Sequence, residues 1–171
     1  MLWRISDNWP RDDVIDLLNG YFDAMSEPVT RRSGEILKFI GDGMLAIFPL
    51  EQKGACANLL HAVSEARQAM IALNAKNAEL GREPLNYGIG IHVGDVMYGN
   101  IGSQSRLGFT VIGPAVNMAS RLETLTKQLG KPVLLSRAFA DLVKGEFELE
   151  HAGEHKVRGF SDPIELFAYQ G

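Results

Sequence analysis

The chain has 171 residues, a formal net charge of −4, 46% apolar and 22% charged residues. That length makes one domain with a real core, the composition is that of an ordinary globular protein, and the acidic balance leaves no basic footprint for nucleic acid. The single cysteine, Cys56, excludes an internal disulfide and fits a reducing compartment; no apolar run approaches the roughly 18–20 residues of a membrane helix, and Met1 to Pro10 has neither the apolar core nor the cleavage site of a signal peptide.

Pro10-Arg11-Asp12-Asp13 opens a helix, with proline early and carboxylates near the positive end of the helix dipole. Val14, Leu17, Leu18, Tyr21, Phe22 and Met25 form its apolar stripe. Pro28 either kinks it or sits at a new helical start, and Ser33-Gly34 ends it. Glu35 to Ile40 and Met44 to Phe48 flank Gly41-Asp42-Gly43, a hairpin by turn chemistry. Asp42 is a residue that tight turns favour in any case, and Lys38, a charge inside an apolar strand, suits an outward-facing edge position.

Lys53 to Leu80 reads as a long helix lined by Leu59, Leu60, Val63, Ala66, Met70 and Leu73, closed by Gly81 to Pro84. Leu85, Tyr87, Ile89, Ile91 and Val93 then alternate with Asn86, Gly88, Gly90, His92 and Gly94, the clearest strand pattern in the chain. The glycines imply close backbone approach on that face, by a helix or a partner, and His92 reads as structural. Asp95 to Tyr98 is expected as a second strand, making another hairpin.

Phe109 to Ile112 suits a buried strand, broken by Gly113, with Pro114 at the first position of a helix. Val116, Met118, Ala119, Leu122, Leu125 and Thr126 recur at helical spacing, and Asn117 and Arg121, four apart, share one face. An amide and a guanidinium so placed can grip an anionic, sugar-bearing ligand; a solvated helix face can also carry them by chance. Pro132 to Leu135 is a strand, Ser136 caps a short helix through Leu142, and Phe147 to Glu150 and Ile164 to Tyr169 are closing strands. His155 to Phe160 is a basic loop that a solvated turn also explains. This order suits an α+β fold, one mainly antiparallel sheet with helices packed on it.

Ile-Gly-Ile-His-Val-Gly at 89–94, Gly-Asn-Ile-Gly-Ser at 99–103 and Val-Asn-Met-Ala-Ser-Arg-Leu-Glu at 116–123 resemble the class III nucleotidyl cyclases, the adenylyl and guanylyl cyclase catalytic domains, and the resemblance runs from about Pro10 to Tyr169. It implies a ferredoxin-like (palm) fold over 1–171 as a single domain and conversion of ATP to 3′,5′-cyclic AMP and pyrophosphate for intracellular signalling, in the cytoplasm. Asp42 resembles the second of two metal-binding aspartates, for Mg2+ or Mn2+. Lys38 resembles the lysine that hydrogen-bonds adenine, and Thr110 falls at its partner position, a pairing that favours ATP over GTP. Asn117 resembles the asparagine that orients the ribose, and Arg121 the arginine that stabilises phosphate charge in the transition state. Arg158 falls in the basic loop where the family places a cation on the terminal phosphates. In the family these groups come from a head-to-tail homodimer, with Asp42 of one chain facing Lys38, Thr110, Asn117, Arg121 and Arg158 of the other.

Two departures are visible. Pro114 stands where the family often has aspartate, a change suited to a helix start. The family also opens with a central strand carrying its first metal aspartate; this sequence opens at Met1-Leu2-Trp3-Arg4-Ile5-Ser6-Asp7, just after where that strand ends, and Asp7 lies in a loop-like context. The expectation is that residues 1–171 alone bind ATP weakly, turn it over negligibly and tend to associate. The alternative reading is a non-catalytic cyclase-like domain that binds nucleotide or dimerises.

Overall fold

The computed structural model describes the backbone of residues 11–103, 106–157, 160 and 162–171, and within these the side chains of all but 11, 12 and 101–108. Asp7, Pro10 and Arg158 lie outside the described residues. The chain divides into two compact units, with the boundary in sequence at Tyr87–Gly88.

The first unit holds helix α1 (Arg11–Arg31), strands β1 (Glu35–Ile40) and β2 (Gly43–Ile47), and helix α2 (Ala55–Glu79). Leu17, Tyr21 and Met25 recur every four residues, so α1 buries one stripe, and α2 buries Leu60, Val63, Ala66 and Met70. The two helices pack on each other; each large side chain so buried contributes about 1.5–3 kcal/mol. The first helix runs on through Pro28, which is fully buried, at the cost of one backbone hydrogen bond. At its end Arg32 Nε donates to Glu65 Oε1 at 2.8 Å and Arg31 lies 3.1 Å from Oε2. The Arg32 hydrogen bond is the main reason the Glu65 carboxyl titrates below its ordinary range.

The second unit holds β3 (Ile89–Ile91), β4 (Met97–Ser103), β5 (Arg106–Ile112), α3 (Pro114–Leu129), β6 (Val133–Ser136), α4 (Arg137–Leu142), β7 (Leu149–His155) and β8 (Ile164–Tyr169). Its main sheet has the order β3-β6-β8-β7, parallel only between β3 and β6. Met118 and Leu122 on α3 join Leu134, Leu166 and Ala168 in its core.

The α+β class and the antiparallel majority stand. Four details differ from the sequence expectation. Among the described residues the strands fall into three sheets rather than one. The strand expected over 85–93 is confined to Ile89–Ile91; at Leu85 the Asn74 side chain accepts the N–H (2.8 Å) and donates to the carbonyl (3.0 Å), so that N–H is not available to a ladder. The strand expected at 95–98 does not return on 85–93; it begins at Met97 and pairs antiparallel with β5, from Met97↔Ile112 to Ser103↔Arg106. β7 also extends past Glu150 to His155, over a bulge between His151 and Gly153.

Candidate functional site

The second unit builds its site on a strand-to-helix joint. The joint is Gly113, with φ 155° and ψ 154°, a conformation that side-chain-bearing residues rarely adopt. A Cβ there would also stand 2.7 Å from the Asp95 carbonyl oxygen. Pro114 follows at the first helical turn, where its missing N–H costs nothing. The chain therefore leaves β5 and enters α3 with almost no freedom in direction.

The depth of α3 is fixed as tightly. A Cβ at Gly90 would fall 2.5 Å from the Glu123 nitrogen and closer still to the Ala119 carbonyl oxygen, and one at Gly88 would collide with Thr126. The helix backbone rests directly on β3, as the glycine pattern implied, and the close approach is by a helix of the same chain. Ala115, Met118, Leu122 and Thr126 face inward. Asn117 is exposed and Arg121 half-buried on the opposite stripe, one turn apart.

Arg121 carries the cation of this face. Its guanidinium carbon lies 5.6 Å from the centre of the Phe160 ring. Phe160 was not singled out as a functional residue by sequence reasoning; the available signal was an aromatic residue inside a basic loop.

Thr110 is half-buried on β5 opposite Gly99, four residues before Pro114. Thr110, Asn117 and Arg121 thus lie on one continuous strand–turn–helix element. Nearby, the His92 ring nitrogen Nδ1 lies 2.7 Å from the Ser136 hydroxyl, which caps α4 by accepting the Phe139 N–H at 3.4 Å. Burial pushes the His92 imidazole below its ordinary pKa. These contacts fit the structural role read for His92.

Lys38 and Asp42 belong to the first unit. Lys38 is exposed, opposite Leu45, beside the bulge that follows Ile36. Asp42 is half-buried in the turn between β1 and β2. Its carboxylate is a suitable hard donor for a divalent cation. Among the described residues no group of three or more His, Cys, Asp and Glu side chains could hold a metal. Among the described residues no helix is long and apolar enough to cross a membrane.

The sequence model of the adenylate and guanylate cyclase catalytic domain matches residues 3–171. The chain is 38% identical over 130 residues to an adenylate cyclase of Anabaena cylindrica, covering 74% of this chain and 25% of that protein. Among solved structures, the adenylyl cyclase CyaB from P. aeruginosa superposes with a TM-score of 0.81 at 31% identity, covering 96% of this chain and 85% of that one. The guanylyl cyclase Cya2 superposes with a TM-score of 0.83 at 28% identity, covering 96% and 84%. The chain spans about a quarter of the length of the curated relatives it matches first.

Proposed function

Since this chain belongs to the adenylate and guanylate cyclase catalytic domain family, we propose that it is the catalytic domain of an adenylate cyclase, with both units forming one domain over 1–171. The ribose 3′ oxygen attacks the α-phosphorus of ATP, the bond from that phosphorus to the bridging oxygen breaks, and pyrophosphate leaves. The 3′ hydroxyl gives up its proton to solvent water in the process. The observation that carries the reading is the α3 face: Asn117 and Arg121 one turn apart, on a helix fixed in direction by Gly113 and in depth by Gly90.

In this reading Asn117 orients the ribose by its amide. Arg121 offers up to five N–H donors in a planar fork, a geometry that suits phosphate oxygens. Its contribution is largest where charge grows on those oxygens in the transition state. Thr110 and Lys38 contact the base and favour adenine over guanine, and Arg158 binds the terminal phosphates. Asp42 is the residue that would hold a divalent ion. When bound, magnesium or manganese supplies acidification of the 3′ hydroxyl and neutralisation of phosphate charge.

The working form in this reading is a head-to-tail homodimer in the cytoplasm, where ATP is supplied. The β4–β5 ribbon supports self-association: Met97, Tyr98, Phe109 and Ile112 are all exposed on a two-stranded ladder. Such a ribbon is marginal in water without a covering surface.

The test is product formation from ATP and from GTP with magnesium and with manganese, using the full-length protein. Cyclic AMP should dominate. Equal or greater production of cyclic GMP would defeat the base assignment, and the absence of both products would defeat the cyclase reading.

A further inference from the structure

Arg121 is placed differently from the other well-held arginines of this chain. Arg32 and Arg137 each lie against carboxylates, whereas Arg121 has no carboxylate partner among the described residues and lies over the ring of Phe160. The distinction matters chemically. A carboxylate would neutralise the guanidinium and occupy its N–H groups. An aromatic face attracts the cation through its quadrupole and takes none of those donors.

The Phe160 backbone is tied to a buried residue. Its N–H donates to the Val157 carbonyl at 3.1 Å, and Val157, just beyond β7, is 5% exposed. Phe160 itself is 42% exposed. Among the described residues its ring packs against the Arg121 guanidinium.

We infer that Phe160 is a positioning residue for Arg121: its ring fixes the guanidinium on the α3 face and leaves every donor for the triphosphate. This rests on the proposed cyclase reading. The ring acts only through Arg121 and touches no substrate atom. Leucine would keep an apolar side chain of similar reach without the quadrupole, so it separates filling from stacking. Tyrosine keeps the ring.

The experiment compares Phe160→Leu, Phe160→Tyr, Arg121→Ala and the double variant Phe160→Leu/Arg121→Ala in the full-length protein, by steady-state ATP turnover. Phe160→Leu should lower kcat about five- to tenfold with KM for ATP changed less than about twofold. Phe160→Tyr should recover most of that loss. The double variant should turn over no more slowly than Arg121→Ala alone, because a platform with nothing to position is silent. A second readout needs no turnover: in the nuclear magnetic resonance spectrum of the full-length protein, the Arg121 Nε–H and Cδ protons should carry a ring-current displacement that Phe160→Leu removes and Phe160→Tyr keeps. Additive losses in the double variant, equal loss with leucine and tyrosine, or no ring-current displacement would each overturn the inference while leaving the cyclase reading in place. If Arg121→Ala leaves kcat unchanged, the cyclase role of Arg121 fails, and the inference fails with it.

Discussion

His92 and Ser136 meet across the parallel β3–β6 junction, with the imidazole Nδ1 2.7 Å from the hydroxyl. Ser136 is 2% exposed and also accepts the Phe139 N–H, so the same hydroxyl serves the strand junction and the first turn of α4. A buried hydroxyl with both its roles assigned has little tolerance for a changed partner.

That junction predicts a pH effect. Burial sets the folded pKa of His92 below its ordinary 6.5. Between those two values the unfolded chain binds a proton that the folded chain declines, so stability falls as pH falls through this window and is level above it. Urea unfolding midpoints measured at about pH 7.5 and about pH 5.5 should differ more for the unmodified chain than for His92→Gln. An identical pH slope in both proteins would exclude His92 as the source.

Gly90→Ala should force α3 off β3, since the new methyl meets backbone at Ala119 and Glu123, which cannot swing aside. The expected cost is about 1–3 kcal/mol of stability, as for other overpacked sites. Gly99→Ala, where an added Cβ meets nothing within 4 Å, should leave the unfolding midpoint nearly unchanged. Comparable losses in the two variants would mean that α3 does not depend on close approach at Gly90.

Arg121→Ala should lower kcat by roughly 10²-fold or more with a much smaller change in KM, the pattern of an interaction made chiefly in the transition state. A change confined to KM would reassign Arg121 to ground-state phosphate binding.

If the active site is shared between chains, an Asp42→Ala protein mixed with an Arg121→Ala protein should regain activity that neither has alone. One of the two sites in the mixed dimer then keeps both residues. Dimers confirmed by sedimentation but without recovery would rule out the shared site.

Base choice should follow Lys38 and Thr110. Lys38→Glu with Thr110→Cys should shift preference from ATP toward GTP in competition binding, because the donors and acceptors at the purine edge are exchanged. Unchanged preference would separate these residues from the base.

The sequence made α3 legible almost entirely, because Gly113, Pro114 and the inward stripe through Leu122 are local signals. The placement of Asn117 and Arg121 on one helix face followed from spacing alone. The length of β3 was not legible: alternation over 85–93 contains no trace of Asn74, whose amide occupies the backbone of Leu85. Nor was the partner of β4, since residue pattern does not choose between β3 and β5 when both can form an adjacent hairpin. The Arg121–Phe160 contact joins residues far apart in sequence, and no local period announces such a pair.

The parallel pairing of β3 with β6 sets the order in which the chain assembles. Neighbours in the sheet, these strands are separated along the chain by the whole β4–β5 ribbon and α3. Hairpins and helices form in microseconds, whereas a parallel pair waits on closure of a long loop. The seat for α3 includes Gly90 on β3, so Arg121 gains its final position only when α3 has docked on that strand. Refolding from urea should therefore recover helical circular dichroism first and nucleotide binding later, leaving a transient population of chains that are helical yet functionally blank.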